Sequence, residues 1–146
     1  MGSVAMFNRI LVAADNSPTA KRAIEAATEL ALMTGGALHI VTAFSAKASS
    51  AATLPGEFKN STTEGEAEAA LQVLSFIPKG KGIEPTTHLA KGDPAEVIIA
   101  TADKIDADLI VVGNRGMKGA RRVLGSVPNS VAHGANCSVA IIDTSE

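Results

Sequence analysis

Arg9-Ile10-Leu11-Val12-Ala13-Ala14-Asp15-Asn16-Ser17-Pro18 is the stretch on which the fold turns. Its apolar run from Ile10 to Ala14 has no polar alternation, the pattern of a strand buried on both faces. The run ends at Asp15, and Ser17 and Pro18 then offer an N-cap and a first helical residue. Ala20, Ala23, Ile24, Ala27, Leu30 and Ala31 follow at helical spacing until Gly35-Gly36, a stop signal. Leu38 to Phe44 reads as a second strand. Strand, helix and strand within so short a span form a right-handed parallel crossover.

The same alternation continues outward from this unit. Ser45 to Thr62 is rich in Ser, Ala and Thr and broken by Pro55-Gly56, so it reads as a mobile excursion between elements. Thr63-Glu64-Gly65-Glu66 has the form of a capping box, and Ala67, Ala70, Leu71 and Leu74 give the buried stripe of a second helix ended by Pro78 and Gly80. Glu84 to Ala90 is a third strand, placed at an edge by Pro85 and its polar neighbours. Asp93-Pro94-Ala95-Glu96 opens a third helix with Ile98, Ile99, Ala102 and Ile105 facing a core. Asp108 to Val112 is a fourth strand. Val127, Val131 and Ala135 mark a last helix from Ser126, and Ser138 to Ile142 a fifth strand. Strands that alternate with helices in this way specify an α/β domain with a doubly wound parallel sheet and helices on both faces.

Composition bounds the function. A chain of 146 residues fits one domain, with residues 7–146 as the folded part and Met1 to Met6 as a short tail or an expression remnant. A net charge of −2 argues against nucleic-acid binding. The chain has no Trp, no Tyr and only four Phe, so it offers little on which single-stranded bases could stack. The lone Cys137 rules out an internal disulfide and suits a reducing compartment. No membrane span and no signal peptide is readable, and the expectation is a cytoplasmic protein.

Ligands of such sheets sit beyond the carboxyl ends of the strands, where the strand order reverses. Two strand exits stand out, Ala14-Asp15 after the first and Gly113 after the fourth. If those strands are neighbours, Asp15 and the segment after Gly113 line one crevice. That segment carries four glycines (Gly113, Gly116, Gly119 and Gly125) and four cations (Arg115, Lys118, Arg121 and Arg122) before Ser126 opens the last helix. Glycines allow close backbone approach, and a helix start adds partial positive charge, which together suit phosphate. On spacing alone a solvated basic loop describes the stretch equally well. No GxxxxGK[ST] occurs, and the first strand exit is not GxGxxG, so the P-loop and the usual dinucleotide fold are excluded.

Gly113-x2-Gly116-x8-Gly125-Ser126, preceded by Asp108-Leu109-Ile110-Val111-Val112 and joined to Asp15 and Gly92-Asp93-Pro94, resembles the universal stress protein family. That likeness runs from Ile10 to Ile142. The resemblance implies a five-stranded sheet in the order 3-2-1-4-5 and an adenine-nucleotide-binding function in stress response or signalling. It further implies that Ala13, Ala14 and Asp15 meet the adenosine and that Val41 contacts adenine through its main chain. Gly113, Gly116, Gly125 and Ser126 would hold phosphates and ribose, with the Val127 N–H and the charge of Arg115 assisting. ATP is the implied ligand, with AMP or cAMP as alternatives and Mg2+ carried on the phosphates. The eight-residue spacer after Gly116 is one shorter than the nine of the family's ATP motif, which locates any change in grip at the terminal phosphate. The resemblance also implies a homodimer formed through Ser138 to Ile142.

Rival readings are an interaction scaffold that binds no nucleotide, a cAMP sink, and a nucleotide-dependent transferase. No catalytic constellation is visible, so the expectation is a protein that is not an enzyme, with at most weak ATP hydrolysis. His39 is expected on a strand face, His133 on the last helix and His88 near a strand exit, and no metal-ligand spacing joins them. Cys137 reads as packing. Asp103, Asp106 and Asp108 read as an outward-facing group.

Overall fold

The apolar runs become strands and the periodic stretches become helices, in the computed structural model that describes residues 6–14, 19–45, 63–114 and 126–144. The elements in chain order are β1 (Arg9–Ala13), α1 (Ala20–Thr34), β2 (Ala37–Phe44), α2 (Glu64–Lys79), β3 (Thr86–Lys91), α3 (Pro94–Ile105), β4 (Leu109–Gly113), α4 (Ser126–Gly134) and β5 (Ser138–Ile142). All strand pairings are parallel and the order is β3-β2-β1-β4-β5, as the resemblance implied. Asp15, Ser17, Pro18, Arg115, Gly116 and Gly125, together with residues 1–5 and 46–62, lie outside the described residues.

Period-two alternation in a sheet covered on both sides divides the core in two. Ile10, Val12, Ala14, Leu38, Ile40, Leu109 and Val111 pack with Ala20, Ala23, Ile24, Ala27 and Ala31 of α1 and Leu71 of α2. Leu11, Val41, Ile110 and Val112 face the other way, against Ala95, Val97, Ile98 and Ala102 of α3 and Val131 of α4. The sheet is therefore a filled sandwich, and a ligand is left with the strand ends.

Local chemistry fixes the boundaries. The capping box of α2 is complete: the Thr63 hydroxyl accepts from the Glu66 N–H and the Glu66 carboxylate accepts from the Thr63 N–H, each at 3.1 Å. Asp93 caps α3 by accepting from the Glu96 N–H at 3.2 Å. Three expectations shift in α1, α2 and β3. The α1 helix starts at Ala20 with Thr19 at the N-cap, two residues beyond the expected Pro18. The α2 helix runs through Pro78 to Lys79, because a proline in a final turn leaves most of the ladder intact. The β3 strand begins after Pro85, which has no N–H to give the ladder.

Asp108 lies just before β4 instead of beginning it, and its carboxylate is not idle. It accepts from the Asn8 N–H at 2.7 Å and the Arg9 N–H at 3.0 Å, stitching the start of β1 to the start of β4. The Asp108 N–H in turn donates to the Arg9 carbonyl at 3.0 Å. Asp103 is likewise engaged, accepting from the Asn136 side-chain amide. Only Asp106 matches the outward reading, with a 3.8 Å ion pair to Arg9 that is too exposed to contribute much.

Candidate functional site

The strand order reverses between β1 and β4: the chain passes from β1 to β2 and β3 on one side, then crosses through α3 to β4 and β5 on the other. The carboxyl ends of β1 and β4 consequently diverge into a crevice at their common end. β1 and β4 end there on small residues, Ala13 and Gly113, and Ala43 is the last residue but one of β2, before Phe44; all are partly exposed. Small side chains at the mouth leave room for a flat ring or a phosphate.

Of the residues implied as a binding set, the structure describes Ala13, Ala14, Val41, Gly113, Ser126 and Val127. Ala13 and Val41 are register partners, and the Ala14 N–H donates to the Val41 carbonyl at 2.9 Å. That N–H is thus engaged within the sheet and is not a spare donor, although the carbonyl keeps a second lone pair. Ser126 opens α4 and is exposed, and Val127 is half-buried against the α3–α4 side of the core. Pro128, buried in the first turn of α4, was overlooked in reading the sequence. Its missing N–H removes one of the free donors that a helix start otherwise presents to an anion.

Gly113 has a neighbour that sequence reading did not anticipate. A Cβ built on it would stand 2.9 Å from Thr144 Cγ2, so the space a side chain would need belongs to the end of the chain. Thr144 is in turn held by Asn114, whose Oδ1 accepts from the Thr144 N–H and hydroxyl, both at 2.9 Å. Nothing local in the sequence announces this contact across 30 residues.

The histidines do not join the crevice. His88 is the third residue of β3, and its Nε2 meets Nδ1 of His39 in β2 at 3.0 Å on the face covered by α3. Their planes differ by 20° and their centroids lie 5.2 Å apart, close to the largest separation such a contact permits. The rings therefore meet edge to edge, one nitrogen donating a proton and the other accepting it. Burial, then Arg9, lowers the His39 pKa; burial, then His39 and Lys104, lowers that of His88. Burial, then Asp108 and Asp103, pushes the Cys137 thiol up, which makes a poor nucleophile. Among the described residues no group of His, Cys, Asp and Glu forms a metal site, and no helix is long and apolar enough to cross a membrane.

Comparison with known proteins agrees with this geometry. A model of the universal stress protein family matches residues 6–143. Universal stress protein A homolog 1 of Coxiella burnetii is 32% identical over 140 residues, covering 91% of this chain and 94% of its own. A universal stress protein solved in complex with cAMP superposes with a TM-score of 0.74 at 28% identity, covering 97% of this chain and all of its own. The universal stress protein of Archaeoglobus fulgidus in complex with dAMP gives a TM-score of 0.69 at 29% identity, covering 96% and 99%.

Proposed function

The chain belongs to the universal stress protein family, whose model spans nearly its whole length, and from that premise we propose that it binds an adenine nucleotide at the crevice between β1 and β4. The observation that carries the proposal is the switch point itself, where β1 and β4 lie side by side with Ala13-Ala14, Val41 and Gly113 at their carboxyl ends. Similar proteins hold cAMP and dAMP, which supports an adenine ligand here.

The described residues fit such a ligand. A flat base needs a shallow, largely apolar slot with one or two main-chain partners, and the small Ala13 and Ala43 beside the Val41 carbonyl supply one. Phosphates need N–H donors, and the α4 start has those of Ser126 and Val127 together with the Ser126 hydroxyl. Asp15 would take the adenosine, Gly116 and Gly125 would let the backbone approach the phosphates, and Arg115 would add positive field. With Pro128 in the first turn and a spacer of eight residues, fewer fixed donors face the far phosphates than a helix of ordinary sequence would offer. ATP is the ligand proposed first, with Mg2+ carried by its phosphates. The relative in complex with cAMP favours a monophosphate as the second reading.

The protein acts as a binding module in stress response or signalling rather than as an enzyme, and any hydrolysis is slow for want of a base aimed at water. The β5 strand pairs with β4 alone among the described strands, and pairing two copies of Ser138–Ile142 about a two-fold axis would cover its outer edge. Light scattering of the purified protein is expected to give a dimer mass.

Calorimetry with ATP, AMP and cAMP on the wild type and Gly116→Ala tests the site. Binding by the wild type and at least a tenfold loss in the variant are expected, as about 1.4 kcal/mol of obstructed approach would give. Equal affinity in the variant refutes the assignment of the glycine segment. No binding of any nucleotide leaves the scaffold reading instead.

A further inference from the structure

The ladder between β4 and β5 does not stop with their last register pair, Gly113 and Ile142. The Asn114 N–H continues it by donating to the Ile142 carbonyl at 3.0 Å. Beyond that point the Asn114 side chain takes over. Its Oδ1 accepts two hydrogen bonds from Thr144, from the main-chain N–H and from the hydroxyl, and its Nδ2 makes a longer 3.4 Å contact to Asp143 Oδ1. Asn114 is 7% exposed and Thr144 4%. An amide oxygen has two lone pairs, and both are taken, so this side chain has no acceptor left for a ligand. A buried amide whose acceptor capacity is used inside the protein orients the backbone on either side of it.

Asn114 is also the residue by which the chain leaves β4 toward the glycine-rich segment. The Thr144 methyl lies over the Cα of Gly113, the preceding residue. The two last residues before that departure are therefore held from one side, by the end of the chain. We infer that Asn114 and Thr144 are positioning residues for the phosphate half of the nucleotide site: they set the line on which the backbone leaves β4 while touching no ligand. This inference rests on the nucleotide-binding reading above. It predicts that the pair governs affinity for the phosphates and leaves recognition of adenosine alone, since the β1 and β2 contacts lie on the other side of the crevice.

The alternative is that the bonds merely fasten the chain end. The two separate in calorimetry with ATP and with adenosine, each at a temperature well below the melting point of the variant used. Thr144→Val keeps the branched shape and deletes the hydroxyl. It should bind ATP about fivefold more weakly, the size expected for one lost hydrogen bond, with adenosine unchanged within about twofold. Asn114→Ala strands the Thr144 N–H and hydroxyl together and should cost ATP at least about tenfold. Thr144→Ser retains the hydroxyl and should restore ATP binding to within about twofold of wild type. A wild-type ratio of ATP to adenosine affinity in Thr144→Val and Asn114→Ala overturns the inference and leaves fastening. A wild type that binds neither ligand removes the nucleotide reading itself, and the inference with it.

Discussion

Gly113→Ala is the substitution whose outcome the structure defines most sharply. The backbone of Gly113 is not in the left-handed region, so alanine meets no conformational penalty there. What it meets is Thr144: the added Cβ would lie 2.9 Å from Cγ2 and 3.9 Å from Oγ1. Overpacking of this kind costs about 1–3 kcal/mol, and about 1.5 kcal/mol is expected here. Thr144→Ser deletes Cγ2 and keeps the hydroxyl on Asn114, and alone it should cost about 0.8 kcal/mol for one buried methyl. In the double variant the alanine methyl fills the volume that Cγ2 vacated. The two changes should then be strongly non-additive, with a coupling of at least about 1 kcal/mol in favour of the pair. The chain has no Trp or Tyr, so urea unfolding of the four proteins is best followed by circular dichroism. Costs that add to within about 0.5 kcal/mol refute the contact. A double variant that regains stability but not ATP binding would assign Gly113 a second duty toward the ligand.

Two further outcomes concern the sheet. Both His39 and His88 titrate below their usual value, chiefly because they are buried, so each is neutral in the folded protein at neutral pH. The unfolded chain takes up protons first, so this part of the stability is full above pH 6.5, the ordinary histidine value, and drains away as pH falls toward the lower folded values. The urea midpoint of the wild type should therefore drop between pH 7.5 and 5.5 more steeply than that of His88→Gln; equal slopes would rule the pair out as the cause. Asp108→Ala strands the Asn8 and Arg9 N–H groups and should lower stability by about 1–2 kcal/mol, with Asp108→Asn in between. At roughly 3 °C per kcal/mol a wild-type melting temperature in Asp108→Ala would dismiss the stitch.

The parts legible in the sequence are those whose cause is local. Ile10-Leu11-Val12 announces a central strand because burial on both faces leaves no polar position. Thr63 and Glu66 announce a helix start because the residues that satisfy its donors lie within one turn. The parts that escaped depend on partners far along the chain. His39 and His88 meet only because the β2–β3 register brings them together, and His88 consequently turns to the α3 face instead of the crevice. Asp108 looked like a surface charge because its partners are the main-chain N–H groups of Asn8 and Arg9, which carry no sequence signature. Gly113 was expected to let the backbone approach a ligand, whereas the neighbour that crowds it in the structure is Thr144, which spacing does not reveal. Pro128 was readable and was missed, since a proline within three residues of a helix start is a direct statement about missing donors.

The stitch at Asp108 also bears on how the chain folds. β1 can pair with β2 as soon as α1 is made, but its other edge waits for β4, and Asn8 and Asp108 are 100 residues apart. Closing so long a loop is slow, and during synthesis the apolar Ile10-Leu11-Val12 stands as an open edge until β4 emerges. The β1–β4 seam is thus the longest-range pairing of the sheet and a place where a stalled chain can pair with another. The barrier to folding should lie in zipping that seam, and the carboxylate at its amino end is placed to hold the register once it closes.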